Sequence, residues 1–265
     1  SANITFYLQD DVLLRGALYR SMSRPNLQDM GAGRNYETDD DVTDIASLIT
    51  GATGDNPYMD PLMADNGDVS LEWYPNDDTA LSLTYYYKEF EANFRSVLLQ
   101  EDVVIDGVPF TVDLDTNTYT DEPATIQGIE ITAQHNFSYL PSPFDGFGTK
   151  ISYNYSDSDF ENQDGTFGDV YDANGVLTQE GLPFVEPANL FGYSENVFSG
   201  SIYWKGEAWD FRVLYKARSK YFQPNSGAES NRYVEPYEYV DATVSYEVME
   251  NVDLVLQATN ILDEA

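Results

Sequence analysis

Leu81-Ser82-Leu83-Thr84-Tyr85-Tyr86-Tyr87-Lys88 has a strict two-residue period. Leu81, Leu83, Tyr85 and Tyr87 make one row, and Ser82, Thr84, Tyr86 and Lys88 the other. Side chains of an extended chain point to opposite faces in turn, so this is a strand with one apolar and one polar face. It follows a tight turn, Pro75-Asn76-Asp77-Asp78, and on the far side of that turn Val69, Leu71 and Trp73 alternate with Ser70, Glu72 and Tyr74. Two such strands joined by a short polar turn read as an antiparallel hairpin.

The same alternation recurs along the chain. It appears at Ile129, Ile131, Ala133 and Phe137, at Ile151, Tyr153 and Tyr155, at Trp209, Phe211, Val213 and Tyr215, and at Val252, Leu254 and Leu256. About ten strands are predicted, over 2–8, 12–23, 66–75, 79–95, 124–138, 147–157, 196–204, 208–219, 237–247 and 251–260. Many are ten residues or longer, whereas strands of water-soluble domains cluster near five or six, and a bilayer-spanning strand needs roughly 9–11. The connections alternate too. Short turns at 9–11, 75–78, 139–146, 205–207 and 249–251 are interleaved with long loops over 24–65, 96–123, 158–195 and 220–236. Long loops all at one end, with Trp and Tyr near strand ends, match an outer-membrane barrel with its apolar face to lipid and its polar face to the lumen. Only Val42–Ile49 has the makings of a short helix, within a loop. The predicted fold class is all-β, an antiparallel transmembrane β-barrel.

Composition narrows the function. The 265 residues carry 13 Lys+Arg against 46 Asp+Glu, a net charge of −33, which repels phosphate backbones and excludes a nucleic-acid partner. There is no Cys and one His, so thiol chemistry and Cys- or His-rich metal sites are out. No phosphate loop, zinc motif or Ser-His-Asp arrangement is visible, and the expectation is no enzyme, no cofactor and no resident metal. The acidic loop 24–65 reads as a solvated face. Asp157-Ser158-Asp159-Phe160-Glu161 with Asp164-Gly165 has only part of a calcium-loop spacing, and Asp172-Ala173-Asn174-Gly175 reads as a hairpin tip. His135 falls on the apolar row near a short turn and reads as an interfacial residue. Arg15, Lys88, Lys150, Arg212, Lys216 and Arg218 fall on polar rows, while Arg20 falls on the apolar parity near a strand end. The chain opens Ser1-Ala2-Asn3-Ile4 without Met and stops at Leu262-Asp263-Glu264-Ala265 ahead of a closing strand, so it reads as a piece of a longer protein.

Several stretches carry a family resemblance. They are Leu18-Tyr19-Arg20-Ser21-Met22-Ser23-Arg24-Pro25-Asn26-Leu27, Gly54-Asp55-Asn56-Pro57-Tyr58-Met59-Asp60-Pro61, Ala64-Asp65-Asn66-Gly67-Asp68-Val69-Ser70-Leu71-Glu72-Trp73-Tyr74, Gly128-Ile129-Glu130, Tyr139-Leu140-Pro141, Arg218-Ser219-Lys220-Tyr221 and Ala258-Thr259-Asn260-Ile261-Leu262-Asp263-Glu264. In this order they resemble the C-terminal half of a TonB-dependent outer-membrane receptor barrel, in a proteobacterial subgroup linked to carbohydrate uptake. Met59 stands where that pattern usually has Leu, and Asp60 where it has Lys. The resemblance implies that residues 1–265 supply about ten strands of a 22-stranded barrel, without the N-terminal plug and TonB box. It implies a cell outer membrane location, an imported bulky solute, lipid contact, and coupling to the TonB complex through the plug. Carbohydrate is the expected solute. A siderophore or other metal complex on the same fold is the alternative, and a secreted acidic β-rich binding module is the rival class. Arg34, Tyr36, Tyr58, Phe167, Tyr171, Tyr221 and Tyr233, all in the long loops, are the candidate ligand-binding residues, since aromatic rings stack on sugars and a guanidinium holds polar groups. Phe160, Phe184 and Phe222 belong to the same set of loop aromatics.

Overall fold

The computed structural model describes residues 1–27, 30–38, 49–92, 94–105, 107–119, 123–160, 170–171, 176–179, 189–190, 192–223 and 232–263. Its strands, in chain order, are β1 (Ala2–Gln9), β2 (Val12–Ser23), β3 (Arg34–Thr38), β4 (Ile49–Gly54), β5 (Leu62–Asn76), β6 (Thr79–Phe90), β7 (Phe94–Ile105), β8 (Val108–Tyr119) and β9 (Ala124–Asn136). They continue with β10 (Phe147–Ser158), β11 (Val170–Tyr171), β12 (Leu177–Gln179), β13 (Asn196–Lys205), β14 (Trp209–Arg218), β15 (Tyr221–Gln223), β16 (Arg232–Val234), β17 (Tyr237–Met249) and β18 (Val252–Ala258).

Ten of these form one antiparallel sheet in the order β1-β2-β5-β6-β9-β10-β13-β14-β17-β18. These are the ten strands expected from the alternation, and each pairs with its neighbour along the chain outside the long loops. The register lines up the two rows. Phe6, Leu14, Leu71, Leu83, Ile131, Tyr153 and Phe198 make one continuous apolar rung across seven strands. The adjacent rung is Arg15, Ser70, Thr84, Glu130, Asn154, Val197 and Arg218. On the apolar side Leu83 stays 48 % and Ile131 44 % exposed. A continuous exposed apolar face of this extent suits hydrocarbon as solvent, where strand-to-strand pairing satisfies the backbone.

The two rims of this wall differ. At the short-turn end, Trp73 Nε1 donates to Asp11 Oδ2 at 3.0 Å, Trp204 Nε1 donates to the Pro143 carbonyl at 2.5 Å, and Trp209 packs on Tyr246 with ring centroids 4.4 Å apart. His135 sits here as expected, with Nδ1 2.8 Å from Thr79 Oγ1 and its ring 4.7 Å from Phe137. At the long-loop end the outward row turns to tyrosine. Tyr85 donates to Gln127 at 2.9 Å, Tyr87 to Glu89 at 3.1 Å, Tyr153 to Asn196 at 2.7 Å, and Tyr215 to Glu238. Rings with an apolar body and a wet tip favour both boundaries of a bilayer. Arg20, ambiguous by parity, belongs to the same outer rim, paired with Glu91 and 3.8 Å from Asp65.

The long loops are not structureless. β12-β11-β7-β8-β4-β3 form a second, six-stranded sheet. It is drawn from three successive loops, as the hairpins β3–β4, β7–β8 and β11–β12 are joined by parallel contacts, Ala52 opposite Leu114 and Tyr171 opposite Val97. This sheet has its own core of Ala52, Val112 and Leu114, packed by Ile49, Leu99, Val103 and Val108. The strand predicted over 79–95 therefore ends at Phe90, and the predicted loop 96–123 is mostly the β7–β8 hairpin. Val103-Val104-Ile105-Asp106-Gly107-Val108 carries the signal for it, since Asp-Gly between β-formers marks a hairpin turn. Of the predicted Val42–Ile49 helix, residues 42–48 lie outside the described residues and Ile49 begins β4. Residues 172–175 and 161–169 also lie outside them, although β11 and β12, which flank the predicted hairpin tip, pair antiparallel.

Candidate solute-binding site

The polar row meets space at the long-loop end. A cavity of about 660 Å³ is lined there by Tyr19, Asp68, Lys88, Glu130, Asn154 and Arg218 among others. These residues come from β2, β5, β6, β9, β10 and β14, so strands far apart in the sheet order face one space. The wall is therefore concave on its polar side, as a barrel lumen requires. Tyr86 also lines the cavity and donates to Asn154 Oδ1 at 3.1 Å. Gly128 makes room for it, because a Cβ there would lie 2.5 Å from the Tyr86 hydroxyl.

Charge in the cavity is mixed. Lys88 and Arg218 oppose Asp68 and Glu130. Among the described residues Lys88 has no ion-pair partner. Deeper in the lumen Arg15 is spent on Glu72 at 2.8 Å, and Lys216 lies over the Tyr239 ring at 5.4 Å. The loop segment at Gly192, Tyr193 and Ser194 closes one side of the cavity. Burial pushes the Tyr193 phenol up from its ordinary value.

The expected ligand-binding residues separate into groups. Arg34, Tyr36 and Tyr171 all lie on the six-stranded sheet, but on β3 and β11, which are separated by β4, β8 and β7. Arg34 is committed within that sheet. Its Nε donates to Glu101 Oε2 at 2.9 Å, and its Nη1 donates to the carbonyls of Asp55 at 3.0 Å and Gly33 at 3.1 Å. It lies against Gly54, where a Cβ would come 2.9 Å from Arg34 Cδ and 2.6 Å from the Gly33 carbonyl. Tyr58 stands 88 % exposed, and Phe167 is outside the described residues. Tyr221 and Tyr233 lie on paired strands β15 and β16 but in alternate register, Tyr221 opposite Val234 and Tyr233 opposite the buried Phe222, with ring centroids of the latter pair 5.9 Å apart. Phe160 is buried edge-on to Phe90 at 5.1 Å. None of the seven candidates lines the cavity, and its tyrosines, Tyr19, Tyr86 and Tyr193, are not among them. They are strand and strand-flanking residues, and the signal for Tyr86 was its place on the polar row two residues before Lys88.

A β wall with lipid-suited exterior, concave polar interior and long loops at one rim defines the side wall of an outer-membrane receptor barrel. The chain belongs to the family described as TonB dependent receptor-like, beta-barrel, whose model matches residues 1–261, a family of the Gram-negative outer membrane. Solved structures share the fold. A point mutant of the ferric enterobactin receptor PfeA of Pseudomonas aeruginosa superposes with a TM-score of 0.64 at 14 % identity, covering 99 % of this chain and 34 % of that one. The siderophore receptor PirA of Acinetobacter baumannii gives 0.63 at 14 % identity, covering 99 % and 36 %. The siderophore receptor PiuA of the same organism gives 0.59 at 16 %, covering 99 % and 31 %. This chain thus spans about a third of the length of these receptors. No curated protein sequence matches it. The expected link to carbohydrate uptake finds no support among these neighbours, which are siderophore receptors.

Proposed function

We propose that this chain forms the C-terminal wall of a TonB-coupled outer-membrane receptor that imports a bulky metal chelate of the siderophore class. Its polar side encloses the entry path, and its cavity at the mouth takes part in capture. The observation that carries the reading is the ammonium of Lys88, unpaired among the described residues, in a mouth cavity with the rings of Tyr19, Tyr86 and Tyr193 around it. A cation and aromatic rings together suit a planar, anionic ligand shell. The fold neighbours that bind such chelates support the same class. Energy coupling is assigned to the plug of the whole receptor, outside this chain.

The test is uptake of iron-55 supplied as ferric enterobactin by cells whose sole outer-membrane iron receptor is the whole parent of this chain. Saturable uptake that needs TonB is expected. Lys88→Ala is expected to raise the half-saturation concentration about tenfold, the loss of one charge-assisted contact. Uptake of a labelled oligosaccharide, with none of the ferric chelate, would overturn the reading and return carbohydrate to first place.

A further inference from the structure

We propose that Arg218 is a positioning residue that latches two outward loops together and so holds Tyr193 in the wall of the mouth cavity. It stands at the outer end of β14 on the inward row, opposite Val197 on one side and Tyr237 on the other. Its guanidinium reaches out of the wall into the loop before β13. Nε donates to Ser194 Oγ at 2.8 Å and Nη2 donates to the Gly192 carbonyl at 2.6 Å. The guanidinium Cζ lies 4.0 Å from the Tyr221 ring centroid and 5.9 Å from that of Tyr237. One planar cation thus meets two neutral acceptors and two rings, a set of contacts that an ammonium cannot reproduce.

Around it the loops are stitched in the same sense. Ser194 pairs with Tyr221 as an antiparallel bridge, the Gly192 amide donates to the Phe222 carbonyl at 2.8 Å, and Ser194 Oγ donates to the Ser219 carbonyl at 2.9 Å. The segment held this way is Gly192-Tyr193-Ser194, which lines the same cavity as Lys88. Tyr193 is the only one of these three with a ring to offer the cavity. Among the described residues no carboxylate pairs with Arg218, and its hydrogen bonds there go to the neutral acceptors Ser194 Oγ and the Gly192 carbonyl. Within Arg218-Ser219-Lys220-Tyr221, Arg218 and Ser219 hold the preceding loop, while the Tyr221 ring lies beside the guanidinium and its residue opens β15. The consequence for capture rests on the proposed chelate uptake, whereas the latch itself does not.

The experiment uses the whole parental receptor in lipid nanodiscs and follows amide hydrogen exchange. Arg218→Ala and Arg218→Lys are both expected to speed exchange at residues 192–195 and 221–223 by about tenfold or more, the loss of a charge-assisted bond. Exchange in β3 and β4 is expected to stay unchanged. Ser194→Ala, which removes one acceptor of Arg218 together with the hydroxyl donated to the Ser219 carbonyl, serves if the Arg218 variants fail to insert, and is expected to speed the same amides to a smaller extent. Arg212→Ala, deeper on the same row, is the control that leaves them alone. Unchanged exchange in the Arg218 or Ser194 variants overturns the latch. In uptake of ferric enterobactin, Arg218→Lys is expected to raise half-saturation with the maximum rate retained. An equal loss in maximum rate alone would overturn the assignment to capture. Absence of chelate uptake by the unaltered receptor would sink the solute class and leave the exchange result to decide the latch.

Discussion

The ten-stranded wall and the six-stranded loop sheet use the same two-residue alternation to opposite ends. In the wall the apolar row of Leu83 and Ile131 stands open, while in the loop sheet Leu114 is 2 % and Val112 3 % exposed. The difference lies in the solvent. An apolar row on the wall has hydrocarbon to meet, so it needs no partner from its own chain. The loop sheet stands beyond the rim in water, where the same residues must bury one another. Long strands suffice for the first. The second needs hairpins from three loops to assemble a core that none of them has alone.

Substitutions can break this contrast, in descending order of effect. Leu114→Ala empties the loop-sheet core and is expected to cost about 2–5 kcal/mol locally. Amide exchange of β4, β7 and β8 in the whole receptor should rise together, with the wall untouched; a rise confined to β8 would show that the three loops do not share one core. Ile131→Arg puts a charge on the lipid face and is expected to cost about 2–4 kcal/mol in reversible unfolding from lipid vesicles. Thr132→Arg, one residue on and facing the lumen, should cost less than about 0.5 kcal/mol by the same measurement. Equal losses at both positions would remove the assignment of faces. Gly54→Ala forces a methyl against Arg34 and the Gly33 carbonyl and is expected to loosen β3 by about 1–3 kcal/mol, read from exchange at residues 34–38. Thr116→Val works in the other direction. The Thr116 hydroxyl is buried with no partner among the described residues, and its removal should stabilise the loop sheet by about 1 kcal/mol in the same assay.

The strands of the wall were legible because each has a local period and a turn residue cluster at one end. Their boundaries at the short-turn rim fall within a residue or two of expectation, as at Val12, Thr79 and Phe147. Legibility failed at Phe90, where the strand stops and a second one begins at Phe94. Two consecutive strands with hydrophobic alternation cannot be parted by period alone, although Asp106-Gly107 announced the hairpin beyond. Of the candidate site, the cations of the polar row were legible by parity. Arg34 was not, since a loop arginine in an acidic stretch looks free until Glu101 is found beside it.

Alternation and turn chemistry act over a few residues, so the amino-acid order alone reveals the fold class, the two faces of the wall and the end at which the long loops gather. That three loops make one sheet, that Arg34 is spent inside it, and that Tyr86, Lys88, Tyr193 and Arg218 share one cavity is visible only in three dimensions. Those facts depend on register and curvature across strands far apart in the chain, 67 residues for Arg34 and Glu101 and more than a hundred for Tyr86 and Arg218, which no local pattern encodes.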